Sequence, residues 1–191
     1  MTAMTLSSKG LARHPAVLVG AAALGLVVGL AANFGRKAIV QGVTAAQGEW
    51  DEGLKAEHRA TLKIFDAIEA TDESNATRRN MYLIQLKHAL SKHAFEEENV
   101  VYPAMRGHGQ VEEADELVHD HGYVKQYLFD LSELDPSSPE WIVKVRKFRS
   151  ELEKHIRMEE DELFPRLRKA LGPEGNAHIT SVMNKAGFAA A

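Results

Sequence analysis

His93-Ala-Phe-Glu-Glu97-Glu-Asn-Val-Val-Tyr-Pro103 and His155-Ile-Arg-Met-Glu159-Glu-Asp-Glu-Leu-Phe-Pro165 are two copies of one pattern, His-x-x-x-Glu-Glu followed by an aromatic residue and a proline. The copies lie 62 residues apart. The segments ahead of them match at an offset of 63, with Glu57-His58 against Asp120-His121 and an apolar run after each. This region is therefore a duplicated helix pair, and each half carries one lone histidine and one His-x-x-x-Glu. Residues four apart project from the same side of an α-helix, so each His-x-x-x-Glu makes a two-pronged clamp on a metal ion. Two clamps related by a pseudo-twofold axis point to two ions.

Around these clamps the apolar periodicity predicts four amphipathic helices over about 50–70, 75–102, 110–133 and 139–170, with no competing strand pattern. Asp72 or Ser74 can cap the second helix, Pro103 with Gly107 and Gly109 ends it, and Ser138 with Pro139 starts the fourth. Gly172-Pro173 closes the fourth helix and leaves a tail over 172–191, which can form a short packed helix without a visible functional role. Short connections favour antiparallel neighbours, so the expected fold is all-α, an up-down-up-down four-helix bundle over 50–171 preceded by an N-terminal apolar helix.

A ligand must face the bundle axis, where ordinary sequences place Leu and Val. The predicted inward stripe of the first helix is Leu54, His58, Thr61, Phe65 and Ile68; that of the second is Leu83, Leu86, Leu90, His93, Glu97, Val100 and Ala104. The third gives Val111, Ala114, Leu117, His121, Val124, Leu128 and Leu131; the fourth runs from Trp141 through Leu152, His155 and Glu159 to Leu167. Six polar residues, His58, His93, Glu97, His121, His155 and Glu159, interrupt these stripes, and inward carboxylates are costly unless paired or metal-bound. His119 points away from His121 around the helix, His88 fits a surface or helix-contact position, and His14, His108 and His178 fit solvated positions. Glu98 and Glu160 follow the clamps by one residue, project about 100° away and are read as outer or surface carboxylates.

Composition narrows the chemistry. The chain has no cysteine, so any metal is held by nitrogen and oxygen, and thiolate sites, disulfides and cysteine nucleophiles are excluded. Lys and Arg number 23 against 27 Asp and Glu, a net charge of -4 that argues against a nucleic-acid partner. Residues 16–34 are uncharged, lie between Lys9 and Arg13 on one side and Arg36-Lys37 on the other, and as a helix would rise about 28 Å against a hydrocarbon core of about 30 Å. The expected organisation is a segment over 1–15, a single-pass membrane helix over 16–34 and a linker over 35–49. The alternatives are a cleaved signal, giving a secreted or periplasmic protein, and a soluble helix. Basic residues on both flanks leave the side of the bundle open. Ala21, Gly25 and Gly29 form a small-residue stripe through which this helix can form a homodimer.

Imidazole and carboxylate ligands suit iron, zinc, manganese or copper. Six ligands shared by two ions, with Glu97 and Glu159 bridging and an oxide or hydroxide between them, leave room for O2 or another small diatomic or peroxide ligand. The order His, His-x-x-x-Glu, His, His-x-x-x-Glu on four helices resembles the hemerythrin-like, or HHE cation-binding, family over roughly 50–170. The resemblance implies a non-haem di-iron centre on those six residues, in a family whose members carry O2, sense O2 or iron, or handle oxidants. Two departures stand out: Leu117 occupies the place of a further histidine of hemerythrins proper, and Glu159 the place of an aspartate. With one histidine fewer, peroxide or NO chemistry stays open beside O2 binding. The ligand set favours a binder over an enzyme, but a di-iron redox enzyme and a tethered iron-sensing module remain alternatives.

Overall fold

The computed structural model describes residues 48–190. Helix α1 (Trp50–Glu69) buries Leu54, His58, Thr61, Phe65 and Ile68, the five residues of its predicted stripe. Asp72 caps a short 3-10 turn, accepting the Ser74 N–H at 2.9 Å, and this turn feeds α2 (Ala76–Glu96). The same rod continues through a π-helical turn, Glu97–Val101, into α3 (Tyr102–Gly107). Next come α4 (Val111–Glu133) and α5 (Pro139–Met158), whose Ser138 cap accepts the Trp141 N–H at 3.3 Å. A second π turn, Glu159–Leu163, leads into α6 (Phe164–Ala190). Helix α1 packs on α2 and α5, and α4 packs on α2 and α5, which closes the four-helix bundle.

One boundary and one stripe position differ from the sequence reading. Pro103 does not end the second helix, because a wider turn precedes it: the Tyr102 N–H bonds the Glu97 carbonyl five residues back. A proline has no N–H and its ring crowds the carbonyl four residues earlier, and a π turn relieves both conflicts. The same device precedes Pro165, where the Phe164 N–H bonds the Glu159 carbonyl. Val111, placed on the inward stripe, opens α4 and is exposed. Gly172, where the sequence reading closes the fourth helix, breaks α6 with φ 63 and ψ -178, a conformation open to glycine, and the chain beyond it is the expected tail helix, through Ala190.

That last segment is packed rather than loose. Asn176 Oδ1 accepts from Trp50 Nε1 at 2.8 Å, and Thr180 Oγ1 accepts the Trp50 N–H at 3.1 Å, one of the orphan donors at the start of α1. Ile179 and Met183 join Trp50, Leu54 and Phe164 in one apolar cluster. The other cluster gathers around Phe65, Leu86, Trp141 and Phe148. There Arg79 lies 5.4 Å over the Trp141 ring and donates to the Pro136 carbonyl at 2.6 Å, tying two interhelix connections together.

The expected apolar helix over 16–34, with the segment 1–15 and most of the linker, lies outside the described residues. Among the described residues no helix is long and apolar enough to cross a membrane, and the membrane anchor gains no support from the structure.

Candidate metal centre

The six polar residues predicted to face inward meet in a layer between the two apolar clusters. All are buried, and Glu97 and Glu159 have no exposed surface. His58, His93, Glu97 and Glu159 bring one ligand atom each to a common point, and so do Glu97, His121 and His155. Glu97 belongs to both groups. Its Oε2 lies 3.3 Å from His93 Nε2 and 3.3 Å from His121 Nε2. Glu159 Oε2 lies 3.4 Å from both His58 Nε2 and His155 Nε2, the counterpart across the pseudo-twofold axis.

Each histidine turns its Nε2 inward because its Nδ1 is held from outside by a carboxylate. His58 Nδ1 lies 2.7 Å from Glu160, His93 Nδ1 3.1 Å from Glu57, His121 Nδ1 2.9 Å from Glu98 and His155 Nδ1 3.3 Å from Asp120. An Nδ1–H donated to a carboxylate leaves the Nε2 lone pair for a metal and raises its basicity. Glu98 and Glu160 are thus not surface groups: each reaches across to the lone histidine of the other half. Glu57 and Asp120, which precede the lone histidines, hold the clamp histidine of their own half. The sequence contained the signal for this pair, an acid in the same place in both copies, but spacing along one helix could not show which histidine it reaches.

Tyr102 is the other residue that the stripes missed. Five residues along an α-helix turn the side chain about 140° away, whereas the π turn brings Tyr102 back over Glu97. Its buried hydroxyl lies 3.2 Å from Glu97 Oε2, 3.0 Å from Glu159 Oε1 and 3.1 Å from His121 Nε2. The matching position in the second copy is Phe164, whose ring stacks on His58 at 6.3 Å.

The donors fit a cation. His58 and His93 face each other Nε2 to Nε2 at 2.9 Å, which is repulsive between two lone pairs unless a proton or metal lies between. Glu97 Oε1, Glu159 Oε2 and His155 Nε2 are buried without a hydrogen-bond partner, the orphaned condition that ligation would cure. The titration pattern agrees. Burial drives the His93 and His155 protons off, but Glu97 and Glu57 hold His93 well above its ordinary range, and Glu159 and Asp120 hold His155 up to about 10. Burial likewise opposes ionisation of Glu97, yet His93 and His121 keep it well below the ordinary carboxylate range. Without metal, protons must supply the positive charge that these carboxylates demand.

The other described histidines stay outside: His88, His108, His119 and His178 are exposed, and His119 packs edge-on against Tyr123 with ring centroids 4.9 Å apart. His121, not His119, faces the axis.

Comparison with known proteins agrees with this geometry. Residues 51–167 match the family model of the hemerythrin HHE cation-binding domain. An uncharacterized hemerythrin-like protein of Schizosaccharomyces pombe is 30% identical over 135 residues, covering 68% of this chain and 64% of that protein. A DNA nickase of Nostoc sp. is 26% identical over 137 residues, 72% of this chain but 38% of that protein. The chain thus spans less than two thirds of either relative. A crystal structure of a hemerythrin HHE cation-binding domain-containing protein from Mycobacterium kansasii superposes with a TM-score of 0.59 at 20% identity, over 74% of this chain and 88% of that one.

Proposed function

The chain belongs to the hemerythrin HHE cation-binding family, and within it we propose that the bundle over 50–171 is a non-haem di-iron domain that binds O2 as a carrier, sensor or scavenger. The two irons would be held by His58, His93, Glu97, His121, His155 and Glu159. The observation that carries the reading is that two buried ligand groups share Glu97, as a bridged pair requires. When bound, the iron would supply a redox-active centre able to take a small exogenous ligand.

The protein's own groups divide the remaining work. Glu57, Glu98, Asp120 and Glu160 fix the histidine tautomers, and Tyr102 steadies the inner oxygens of Glu97 and Glu159. Leu117 is fully buried in the apolar cluster beside the site and offers no further ligand. Bundle enzymes that activate O2 hold their metals with four carboxylates and two imidazoles. Four imidazoles and two carboxylates carry less negative charge, which favours ferrous iron and ligand binding over high-valent chemistry. A second reading, turnover of peroxide or NO, is favoured by one feature: a surface groove of about 510 Å³ between α4 and α5 reaches His155 and Asp120. The uncharged stretch 16–34 is the proposed tether to a membrane.

The test is elemental analysis after iron-replete expression, followed by mixing the anaerobic diferrous protein with O2 in a stopped flow. Near two irons per chain and an optically distinct O2 adduct are expected. One iron or none in well-folded protein would sink the dinuclear reading, and prompt oxidation coupled to turnover of peroxide would favour the enzyme. Full-length protein should sediment with membranes through a carbonate wash; recovery in the soluble fraction with its N-terminus intact rules out the tether.

A further inference from the structure

A small cavity of about 10 Å³ lies against the four site histidines on the side of the Trp141 cluster. That volume is near the minimum that admits one water-sized group, so it suits a diatomic or the end of a triatomic ligand and excludes an organic substrate. Apart from the histidines, its lining is Ile156 and two pairs related by the duplication. Leu90 and Leu152 are 62 residues apart and identical, whereas Thr61 and Val124, 63 apart, have nearly the same shape and differ by a hydroxyl in place of a methyl. Thr61 lies one turn after His58 on α1 and is buried, and apart from the histidines it is the one lining residue that carries a polar group.

We propose that Thr61 is a specificity-determining residue: its hydroxyl donates a hydrogen bond to the exogenous ligand in this cavity and biases it toward the ion held by His58 and His93. The inference rests on the di-iron reading. The physical reason is the asymmetry of the wall. A ligand that carries partial negative charge gains a donor at the Thr61 end and meets hydrocarbon at the Val124 end. A buried hydrogen bond to a charged acceptor is strong, and an unpartnered polar group in such a space is costly.

Sodium azide serves as the probe, titrated into the oxidised iron-loaded full chain. Its affinity is read by absorbance and the bound azide antisymmetric stretch by infrared spectroscopy, with iron content measured in parallel. Thr61→Val should keep the iron content and weaken azide about tenfold, with a shifted stretch, as expected for one charge-assisted hydrogen bond. Thr61→Ser should retain the wild-type stretch, and Val124→Thr in the Thr61→Val background should recover affinity with a stretch of its own. Iron-loaded Thr61→Val that binds azide within twofold of wild type, with an unshifted stretch, overturns the role of Thr61 and leaves the di-iron reading standing. Iron-loaded wild type that binds no azide also overturns it, and folded protein that takes up no iron overturns both.

Discussion

The two halves of the duplicated bundle place the same ligands and surround them differently. In the first half the carboxylate behind the clamp histidine continues into a buried chain of charge: Glu57 holds His93 and pairs with Lys92, which also bonds Glu96 at 2.9 Å. Burial pushes Glu96 up to about 8, with the Glu57 charge adding to the effect, while Glu57 falls to about 2 because His93 and Lys92 outweigh its own burial. In the second half Lys154 pairs outward with Glu151, and Met158 stands where Glu96 does. Asp120 is 34% exposed at the inner end of the α4–α5 groove, whereas Glu57 is 14% exposed. The six inner His and Glu residues are alike in both copies, and the positions one layer out differ to give a sealed side and an open side.

The largest expected effect comes from the carboxylate that both halves share. Glu97→Ala should abolish binding of both ions, whereas His121→Ala should cost mainly the second and His119→Ala neither; iron per chain by elemental analysis ranks the three. If Glu97→Ala keeps two irons, the halves do not meet at this residue. Stripping the metal with a chelator should lower the melting temperature, since a ligand present at 1,000 times its Kd stabilises by about 4 kcal/mol. Equal melting of the stripped and loaded forms would show that no ion is bound to the folded state.

Next in size is the sealed side. Lys92→Met removes the buried ammonium that Glu57 and Glu96 share, leaving His93 to hold Glu57, and should destabilise by about 3 kcal/mol, the lower end of what breaking a buried ion pair costs. Lys154→Met, the matching change in the open half, should stay within about 0.5 kcal/mol. Urea denaturation of the two metal-free variants makes the comparison, and equal losses would refute the contrast. Smaller again are the supporting carboxylates. Glu57→Gln and Asp120→Asn should each weaken iron about 10–100-fold, the range for outer partners of ligating histidines, with Glu57 the costlier because it is drier. A competition titration against a chelator decides the order. The smallest effect is Tyr102→Phe, which makes the halves alike at the π turn. It should keep both irons, lose about 1 kcal/mol of stability and shift the optical bands of the loaded centre; loss of an iron would make the phenol a ligand rather than a donor.

A local rule could state much of this molecule in advance. The α-helical period places His58, His93, Glu97, His121, His155 and Glu159 on the axis, selects His121 over His119, and marks Ser138 with Pro139 as a helix start, because each depends on residues within a turn or two of one another. The repeat announced the pseudo-twofold site for the same reason. What depended on two helices meeting was out of reach: Glu98 and Glu160 crossing to the opposite half, or Asn176 and Thr180 in the tail closing over Trp50. Tyr102 fell between the two cases. Its proline neighbour was visible, but the π turn that rotates it onto Glu97 inserts one residue into the helical count, and the extra residue is retained by the contacts it makes across the bundle with Glu159 and His121. Sequence therefore determined which side chains face the bundle axis, since that is a matter of helical phase. Tertiary structure decided which groups hold those side chains in place, since neighbouring helices must pack before their side chains can meet.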